Sequence, residues 1–280
     1  MIGVLKQHSI IPHKRLGQVF LFRQSIAEEI VRLAAIRSGD VVVEIGSGLG
    51  ILTVPLAQSG AHITALEYDS ALAAYLASAM NCQTVEVTRA DALHFDYSRL
   101  CERHGKKLII IGNLPYYLTS PLIFKLLELR SYIVRLVLMI QREVADRISA
   151  LPGTRGYGII SIVSQLFFHV DHRLTVLRDC FYPLPAVDSE VVVFNLRSQP
   201  LTALADEKAF AILVRVAFAH PRKTLLNALK ACNYFDRGKE RIMATLDNAG
   251  IDPMRRAQTL SIDEYAGLSN MLFRGQSPCR

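Results

Sequence analysis

The sequence predicts an α/β fold: a sheet with a parallel core covered by helices, a late antiparallel hairpin, and then a small all-helical domain. Three observations predict it. Short apolar segments alternate with segments of helical spacing over the first half of the chain, as in parallel βαβ units. Two later apolar segments flank a loop with two prolines, which fits an antiparallel hairpin. The remaining segments have helical spacing.

Each predicted strand is a short apolar stretch that ends at a turn or a polar residue. In chain order, the predicted strands are residues 41–45, 63–66, 84–87, 108–112, 134–141, 172–180 and 191–196. The predicted helices place apolar residues three or four positions apart. They are residues 24–37, the stretch after Gly50 to about Ser59, and residues 70–80, 119–129, 206–219, 222–232, 238–249 and 261–273.

The two predicted domains meet at residues 198–205, a segment that the sequence marks only weakly as a linker. We therefore assign residues 1–200 to the α/β domain and residues 201–280 to the helical domain. Residues 1–23 are predicted to be an irregular basic arm at the start of the first domain.

The composition is that of a globular protein with a basic surface. Of the 280 residues, 51% are hydrophobic, and the formal net charge is +7. A basic surplus of this size favours a polyanionic partner, most simply nucleic acid. An ordinary basic protein without such a partner explains the charge equally well.

The cysteines and the apolar segments indicate the cellular compartment in which the protein acts. Five cysteines are scattered without a CxxC pair, so we expect no zinc site, no redox motif and no metal. An odd number fits no disulfide framework and favours a reducing compartment. The N-terminus lacks the apolar core of a signal peptide, and no apolar run approaches the roughly 18 residues of a spanning helix. We expect a cytoplasmic monomer without membrane contact.

Three predicted strands end in residues that suit an adenosine-containing ligand. The first runs into the loop Gly46–Gly50, the second ends at Glu67, and the third is followed by Asp91. Glycines let the backbone approach a ligand, a carboxylate after the second strand can accept both ribose hydroxyls, and Asp91 can accept from an adenine amine. Because the spacing is GxGxG and no phosphate-binding motif follows, the set favours S-adenosylmethionine over NAD or FAD.

Each of these residues also has a simpler interpretation. Glu67 and Asp91 fit helix N-caps or solvated carboxylates, and Gly46–Gly50 fits a plain strand–helix turn. It is their joint position at successive strand ends that favours a cofactor site.

The segment Asn113-Leu114-Pro115-Tyr116 follows the fourth predicted strand, where open α/β sheets bind ligands. The Asn113 carbonyl can accept a hydrogen bond from an amine. Pro115 removes a backbone donor, so that nearby carbonyls can face a ligand, and Tyr116 offers a flat face for stacking. The segment suits a nucleic-acid base whose exocyclic amine is the reacting atom, as in an amino-methyltransferase.

Phe181 opens the loop of the predicted hairpin, which contains Pro183 and Pro185. Prolines stiffen a loop and lower the entropy cost of holding an aromatic face. Phe181 and Tyr116 could therefore sandwich a base that has been taken out of its stack. The alternative is a core aromatic, since phenylalanine is usually buried.

Basic residues in two regions predict contacts to RNA phosphates. They are Lys14 and Arg15 in the arm, and Arg215, Arg222, Lys223 and Lys230 in the helical domain. Residues seven apart share a face of a continuous helix, but Pro221 is expected to break this one, so that two elements supply the face. A solvated helix surface is the alternative.

Together these motifs resemble those of one known protein family, and the similarity extends over nearly the whole chain. The matching segments are 14–21, 44–53, 113–116, 181–189, 222–225 and 260–265, with Glu67 and Asp91-Ala92. They resemble the ribosomal RNA adenine dimethyltransferase family of the KsgA type, which modifies adjacent adenosines near the 3′ end of small-subunit rRNA. The resemblance implies the Rossmann-like sheet of a class I methyltransferase in residues 1–200 and an RNA-binding role for residues 201–280.

The resemblance also implies a cofactor, partners and site residues. S-adenosylmethionine would be held by Val19, Leu21, Gly46, Gly48, Glu67, Asp91 and Asn113. Asn113, Leu114, Pro115, Tyr116 and Phe181 would hold the target adenine for direct, in-line methyl transfer, carried out twice. The implied partner is small-subunit rRNA or a pre-assembled small ribosomal subunit.

Three positions depart from the family pattern. Val19 stands where Asn is usual, Ser47 where Pro is usual, and Pro221 where a basic residue is usual. The first implies that a side-chain contact to the cofactor is lost or is replaced by backbone.

Two other functions stay open on the sequence. The resistance methylases of large-subunit rRNA usually have Ile at the position of Leu114 and a shorter helical tail. A non-catalytic ribosome-assembly or transcription factor on the same fold would lack the chemistry; Val19 is the feature that leaves this second alternative open.

Overall fold

The computed structural model describes residues 2–8, 10–13, 16–80, 82–231 and 238–273. The described residues fall into two compact units. The first lies within 1–145 and 169–196, and the second within 146–168 and 197–280. No helix of the described residues is long and apolar enough to cross a membrane.

A seven-stranded sheet is the centre of the first unit, with the strand order β4-β3-β2-β5-β6-β9-β7. Its strands are β2 (Val41–Ile45), β3 (His62–Glu67), β4 (Val85–Arg89), β5 (Leu108–Asn113), β6 (Ile133–Gln141), β7 (Phe168–Val176) and β9 (Ser189–Leu196). Strands β4 to β6 pair in parallel, and β6 pairs antiparallel with β9. This arrangement confirms the predicted α/β class with its late antiparallel strands.

A second, two-stranded sheet joins distant parts of the chain in the same unit. Strand β1 (Phe20–Leu21) pairs antiparallel with β8 (Phe181–Tyr182). In the register of this pair, Phe20 faces Tyr182 and Leu21 faces Phe181. The N-terminal segment and the hairpin loop are therefore held beside each other.

Six α-helices lie wholly in the described part of the first unit, and polar side chains mark where two of them begin. The helices are α1 (Ile2–Gln7), α2 (Gln24–Leu33), α3 (Thr53–Ala57), α4 (Ser70–Ala79), α5 (Tyr97–His104) and α6 (Thr119–Glu128). Asp69 caps α4 by accepting hydrogen bonds from the N–H groups of Ala71 and Leu72, and Asp96 caps α5. Such caps satisfy the free donors of a first helical turn.

The second unit is helical. It contains α8 (Ile159–Phe167), α9 (Glu207–Phe218), α10 (Leu225–Lys230), α11 (Gly238–Asn248) and α12 (Ile262–Leu272), and α7 (Arg142–Ile148) spans the boundary between the units. Ser261 and Glu264 form a reciprocal capping box at the start of α12. Leu213, Leu229 and Tyr265 are among its fully buried side chains.

Several predicted boundaries were wrong. The arm is not wholly irregular, because it contains α1 and β1. The first strand of the hairpin is β7, four residues earlier than predicted, and the chain from Arg178 to Cys180 forms a short 3-10 helix. Helices α5, α7 and α8 were not predicted.

The predicted domain boundary also differs from the division that is observed. Residues 146–168, which were assigned to the α/β domain, group with the C-terminal helices. Helices α8 and α9 contact each other, and the backbone N–H of Leu201 donates to the carbonyl of Leu166 at 2.7 Å. These contacts join segments that are distant in sequence, so a linear pattern gave no sign of them.

Candidate active site

One cavity of about 320 Å³ lies at the carboxyl ends of β2, β3 and β5 and beside β1 and β8. All the predicted cofactor-binding and catalytic residues line it. They are Val19, Leu21, Gly46, Gly48, Glu67, Asp91, Asn113, Leu114, Pro115, Tyr116 and Phe181. Parallel strands bring their carboxyl ends to one edge of a sheet, which explains why residues so far apart in sequence meet here.

The glycine loop is built by positive backbone angles and by hydrogen bonds to the neighbouring strand. Gly46 and Gly48 have φ of 71° and 54°, a region that favours glycine. A Cβ on Gly46 would lie 3.5 Å from the Asn113 carbonyl oxygen. Ser47 donates its backbone N–H to the carbonyl of Leu66 at 3.2 Å, a bond that the proline usual at this position cannot make.

Glu67 ends β3 with a buried carboxylate whose two oxygens are both held by backbone donors. Its Oε2 accepts from Gly48 N at 2.8 Å, and its Oε1 accepts from Asp69 N at 2.9 Å. Burial raises the pKa of Glu67, and these hydrogen bonds oppose the rise. Each carboxylate oxygen can accept a further bond, so the geometry leaves room for the two hydroxyls of a ribose.

Asp91 follows β4 and is only partly buried. Its Oδ1 accepts from Leu93 N at 2.8 Å, and its Oδ2 lies 2.9 Å from His94 Nδ1. The carboxylate therefore has a local partner in the turn as well as a place in the cavity lining.

Glu44 is a lining residue that the sequence analysis did not assign to the site. It lies in β2, 1% exposed, and its Oε2 accepts from Thr53 Oγ1 at 2.6 Å. Burial raises its pKa to about 8, and the charge of Glu67 adds to the rise. A carboxylate that interrupts the apolar strand Val41–Ile45 was the signal that could have identified it.

The Asn113 segment begins at the last residue of β5. Asn113 donates from Nδ2 to the backbone carbonyl of Val19 at 3.0 Å. Leu114 is buried and donates its N–H to the carbonyl of Met139 at 3.0 Å. The Pro115 carbonyl accepts from Leu118 N at 3.0 Å and from Thr119 Oγ1 at 3.2 Å.

Two aromatic residues line the part of the cavity that is predicted to hold the target adenine, which we call the target side. The Tyr116 side chain lines the cavity, and burial raises the pKa of its hydroxyl. Phe181 is 3% exposed and belongs to the hydrophobic core around β1 while it also lines the cavity. Phe181 is thus a core aromatic that also lines the cavity, and its stacking on a base stays a prediction.

Two further aromatic residues at the cavity were not predicted. Tyr68 and Tyr117 line it, and their side chains are more than half exposed, at 58% and 52%. Each stands next to a residue that was predicted, Glu67 and Tyr116, so position beside the motifs was the available signal.

The predicted RNA-binding residues that the structure describes are all exposed and all lie in the second unit. Arg215 is on α9, Arg222 and Lys223 lie in the turn after it, and Lys230 ends α10. The helix is broken between Phe218 and Leu225, as Pro221 predicted. Lys14 and Arg15 lie outside the described residues.

The charge of the lining tests which cofactor fits. Glu67 and Asp91 line the cavity beside Glu44, whose pKa of about 8 favours its neutral form at pH 7, and no Lys or Arg is among the described lining residues. Such a site suits a cationic ligand that carries ribose and adenine but no phosphate. S-adenosylmethionine has a sulfonium and an ammonium group and meets these requirements. The described residues contain no group of three or more His, Cys, Asp or Glu that could hold a metal ion.

The sheet and this acidic cavity, whose described lining offers no Lys or Arg to a phosphate, define a class I methyltransferase that uses S-adenosylmethionine. A family profile described as ribosomal RNA adenine dimethylase matches residues 11–272. The chain belongs to this family, which confirms the resemblance seen in its motifs, and it is an S-adenosylmethionine-dependent rRNA adenine dimethyltransferase.

Named relatives agree with the family. The chain is 41% identical to ribosomal RNA small subunit methyltransferase A of Syntrophus aciditrophicus, over 96% of this chain and 97% of that protein. The relative of the same name from Pelotomaculum thermopropionicum is also 41% identical, over 95% and 93% of the two chains. Among solved structures, a dimethyladenosine transferase from Plasmodium falciparum is similar, with a TM-score of 0.74 and 27% identity over 91% of this chain and 97% of that one.

Proposed function

We propose that this enzyme dimethylates the exocyclic amines of two adjacent adenosines near the 3′ end of small-subunit rRNA, and so takes part in small-subunit biogenesis. The observation that carries the proposal is the position of Asn113-Leu114-Pro115-Tyr116, which lines the same cavity as Glu67 and the glycine loop. The methyl donor and the amine acceptor would thus meet in one space. The names of the relatives with 41% identity support the small subunit as the source of the rRNA.

The cofactor would be held by the residues at the strand ends. When bound, S-adenosylmethionine would supply an electrophilic methyl carbon on its sulfonium, with S-adenosylhomocysteine as the leaving group. In our proposal Glu67 accepts from the ribose hydroxyls and Asp91 accepts from the adenine amine. Gly46 and Gly48 allow the close approach of the backbone, and Val19 and Leu21 cover the opposite side.

The target amine would be activated by hydrogen-bond acceptors. An aromatic amine is a poor nucleophile because its lone pair is delocalised into the ring. Acceptance of its two N–H groups by Asn113 Oδ1 and a backbone carbonyl favours a pyramidal nitrogen with an available lone pair. The Pro115 carbonyl already accepts two hydrogen bonds, which favours the Leu114 carbonyl as the second acceptor. Positioning and electrostatics then supply most of the catalysis.

The base itself would be held by stacking. Tyr116 and Phe181 line the cavity beside Asn113, and stacking of an aromatic side chain on a base contributes about 1–3 kcal/mol. An enzyme that modifies a base must first take it out of its stack. The two aromatic faces would offset part of that cost.

The remaining predictions belong to the same proposal. The second, helical unit would bind rRNA phosphates through Arg215, Arg222, Lys223 and Lys230, with Lys14 and Arg15 adding contacts from the arm. We propose a monomer that acts in the cytoplasm on small-subunit rRNA or on a pre-assembled small subunit. Against a non-catalytic assembly factor stand the intact Asn113 segment, Glu67 and Asp91, which line one cavity.

The test is methyl transfer from labelled S-adenosylmethionine into small subunits purified from cells that lack the mark, followed by nucleoside analysis. Large subunits and protein-free rRNA serve as parallel substrates. We expect dimethyladenosine near the 3′ end of small-subunit rRNA. Label in the large subunit would favour the resistance methylases, and subunit binding without transfer would favour an assembly factor.

A further inference from the structure

The orientation of the Asn113 carboxamide is set by the backbone of the N-terminal segment. A carbonyl oxygen can only accept a hydrogen bond, so the end of Asn113 that lies 3.0 Å from the Val19 carbonyl must be its Nδ2 donor. This contact leaves Oδ1 as the end available to accept a hydrogen bond from the target amine. A rotated amide would present a donor to that amine and would lose the bond to Val19.

The same segment contacts the rest of the target side. We call residues 16–22 the N-terminal strap. A Cβ on Gly17 would lie 3.6 Å from Pro115 Cβ, so the strap passes close to the Asn113 segment. Leu21 pairs with Phe181, and the next strap residue, Phe22, donates its N–H to the Cys180 carbonyl at 3.0 Å. The strap therefore links the two halves of the predicted base site.

One polar side chain joins the strap to the cofactor side. Gln18 donates from Nε2 to Asp69 Oδ2 at 3.2 Å, and its Oε1 accepts from His13 N at 2.8 Å. Asp69 is fixed because its Oδ1 caps α4, and its own N–H donates to Glu67. Both ends of the Gln18 amide are thus used, and the residue next to it supplies the carbonyl that orients Asn113.

We propose that Gln18 is a positioning residue for methyl transfer: by tying the strap to Asp69, it holds the Val19 carbonyl where that carbonyl orients the Asn113 amide. The inference rests on the proposed role of Asn113. Gln18 also lines the cavity, but both ends of its amide are bonded, to Asp69 and to His13. The inference therefore predicts a larger effect on the rate of transfer than on the binding of either substrate. A displacement of about 1 Å at a reacting group can cost about 100-fold in rate.

The test compares Gln18→Ala with the wild-type enzyme and with Gln83→Ala, an exposed glutamine in the turn before β4. We expect kcat of Gln18→Ala to fall about tenfold or more. The KM for small subunits and the calorimetric Kd for S-adenosylmethionine should stay within about threefold, and Gln83→Ala should match the wild type. A kcat within twofold of the wild-type value would overturn the proposal.

A second measurement separates positioning from a general structural effect. In the Asn113→Ala background, Gln18→Ala should lower the residual rate less than twofold, because the amide that the strap orients is already gone. An equal fold loss in both backgrounds would overturn the proposal. If Gln18→Ala does not fold, Gln18→Glu keeps the length of the side chain and places a carboxylate against Asp69; the same loss of kcat is expected. Absence of transfer by the wild-type enzyme would instead contradict the proposed function.

Discussion

Gly48 donates its backbone N–H to Glu67 Oε2 at 2.8 Å, which joins the loop after β2 to the carboxylate that ends β3. Asp69 N holds the other oxygen at 2.9 Å. Glu67 therefore has two structural roles in the cofactor site. It presents a fixed carboxylate to the cavity, and it also holds the glycine loop in position.

Glu67→Gln should weaken cofactor binding more than the loss of a charge at the surface would. A glutamine side chain has one acceptor oxygen in place of two, so one ribose hydroxyl loses its proposed acceptor. A hydrogen bond to a charged group contributes about 1.5–3 kcal/mol, so we expect the calorimetric Kd for S-adenosylmethionine to rise about 10- to 100-fold. Glu102→Gln, at an exposed position on α5, is the matched control and should bind normally. Equal affinities in the two variants would contradict the role of Glu67.

Gly50→Ala should destabilise the first unit because of one close contact. Gly50 has φ of 84°, and a Cβ there would lie 2.6 Å from Leu76 Cδ1, a side chain that is buried on α4. Gly105 has φ of 63° and open space around its Cβ position, so Gly105→Ala measures the backbone cost alone. We expect losses of unfolding free energy of about 1 kcal/mol for Gly105→Ala and about 2–4 kcal/mol for Gly50→Ala, measured by urea denaturation. Equal losses would show that the contact with Leu76 relaxes freely.

The burial of Glu44 should make stability depend on pH. The pKa of Glu44 is raised from 4.5 to about 8 in the folded protein, so between these values the folded state holds a proton that the unfolded state has lost. This contribution to the free energy of unfolding is complete below about pH 4.5 and is lost as pH rises through 8. Glu44→Gln keeps an acceptor for Thr53 and removes the titration.

The measurement is urea denaturation followed by circular dichroism between pH 5 and pH 8.5. As pH rises over this range, the free energy of unfolding of the wild-type protein should fall by on the order of 3 kcal/mol relative to that of Glu44→Gln. Parallel pH profiles for the two proteins would mean that Glu44 does not titrate in this window.

The basic turn after α9 should determine binding to the subunit rather than chemistry. Arg222→Ala with Lys223→Ala removes two exposed cations. We expect the KM for small subunits to rise several-fold with kcat nearly unchanged. The slope of the logarithm of the binding constant against the logarithm of the salt concentration should become shallower, by an amount that corresponds to the loss of up to two phosphate contacts. Arg99→Ala with Lys107→Ala removes the same charge from exposed positions in the first unit and is the control. The same rise in KM in both double variants would show that net charge alone is responsible.

Much of the fold could be predicted because the parallel strands are local patterns. Strands β2 and β5 are short apolar runs in the sequence, and Pro221 lies at a helix boundary that its residue type predicts. Strand β1 could not be predicted, since a two-residue strand has no periodicity and its partner β8 lies about 160 residues further along the chain. The grouping of residues 146–168 with the C-terminal helices is likewise a matter of distant contacts.

The candidate site shows the same division between local and distant information. The positions of Glu67, Asp91 and Asn113 follow from the ends of parallel strands, and the structure places all three around one cavity. What the sequence could not show is the backbone contact that orients the Asn113 amide. The contact between the Val19 carbonyl and Asn113 joins residues that are 94 positions apart, and no local pattern marks it.

The central claim is that the Asn113 amide accepts a hydrogen bond from the target amine during transfer. The most direct measurement is single-turnover methyl transfer by Asn113→Ala at saturating subunits, with calorimetric binding of S-adenosylmethionine to the same preparation. We expect the transfer rate to fall by about 100-fold or more, a far larger change than the rise in the Kd for the cofactor, which six further residues are expected to hold. A near-normal rate of transfer, with dimethyladenosine still formed, would contradict the account.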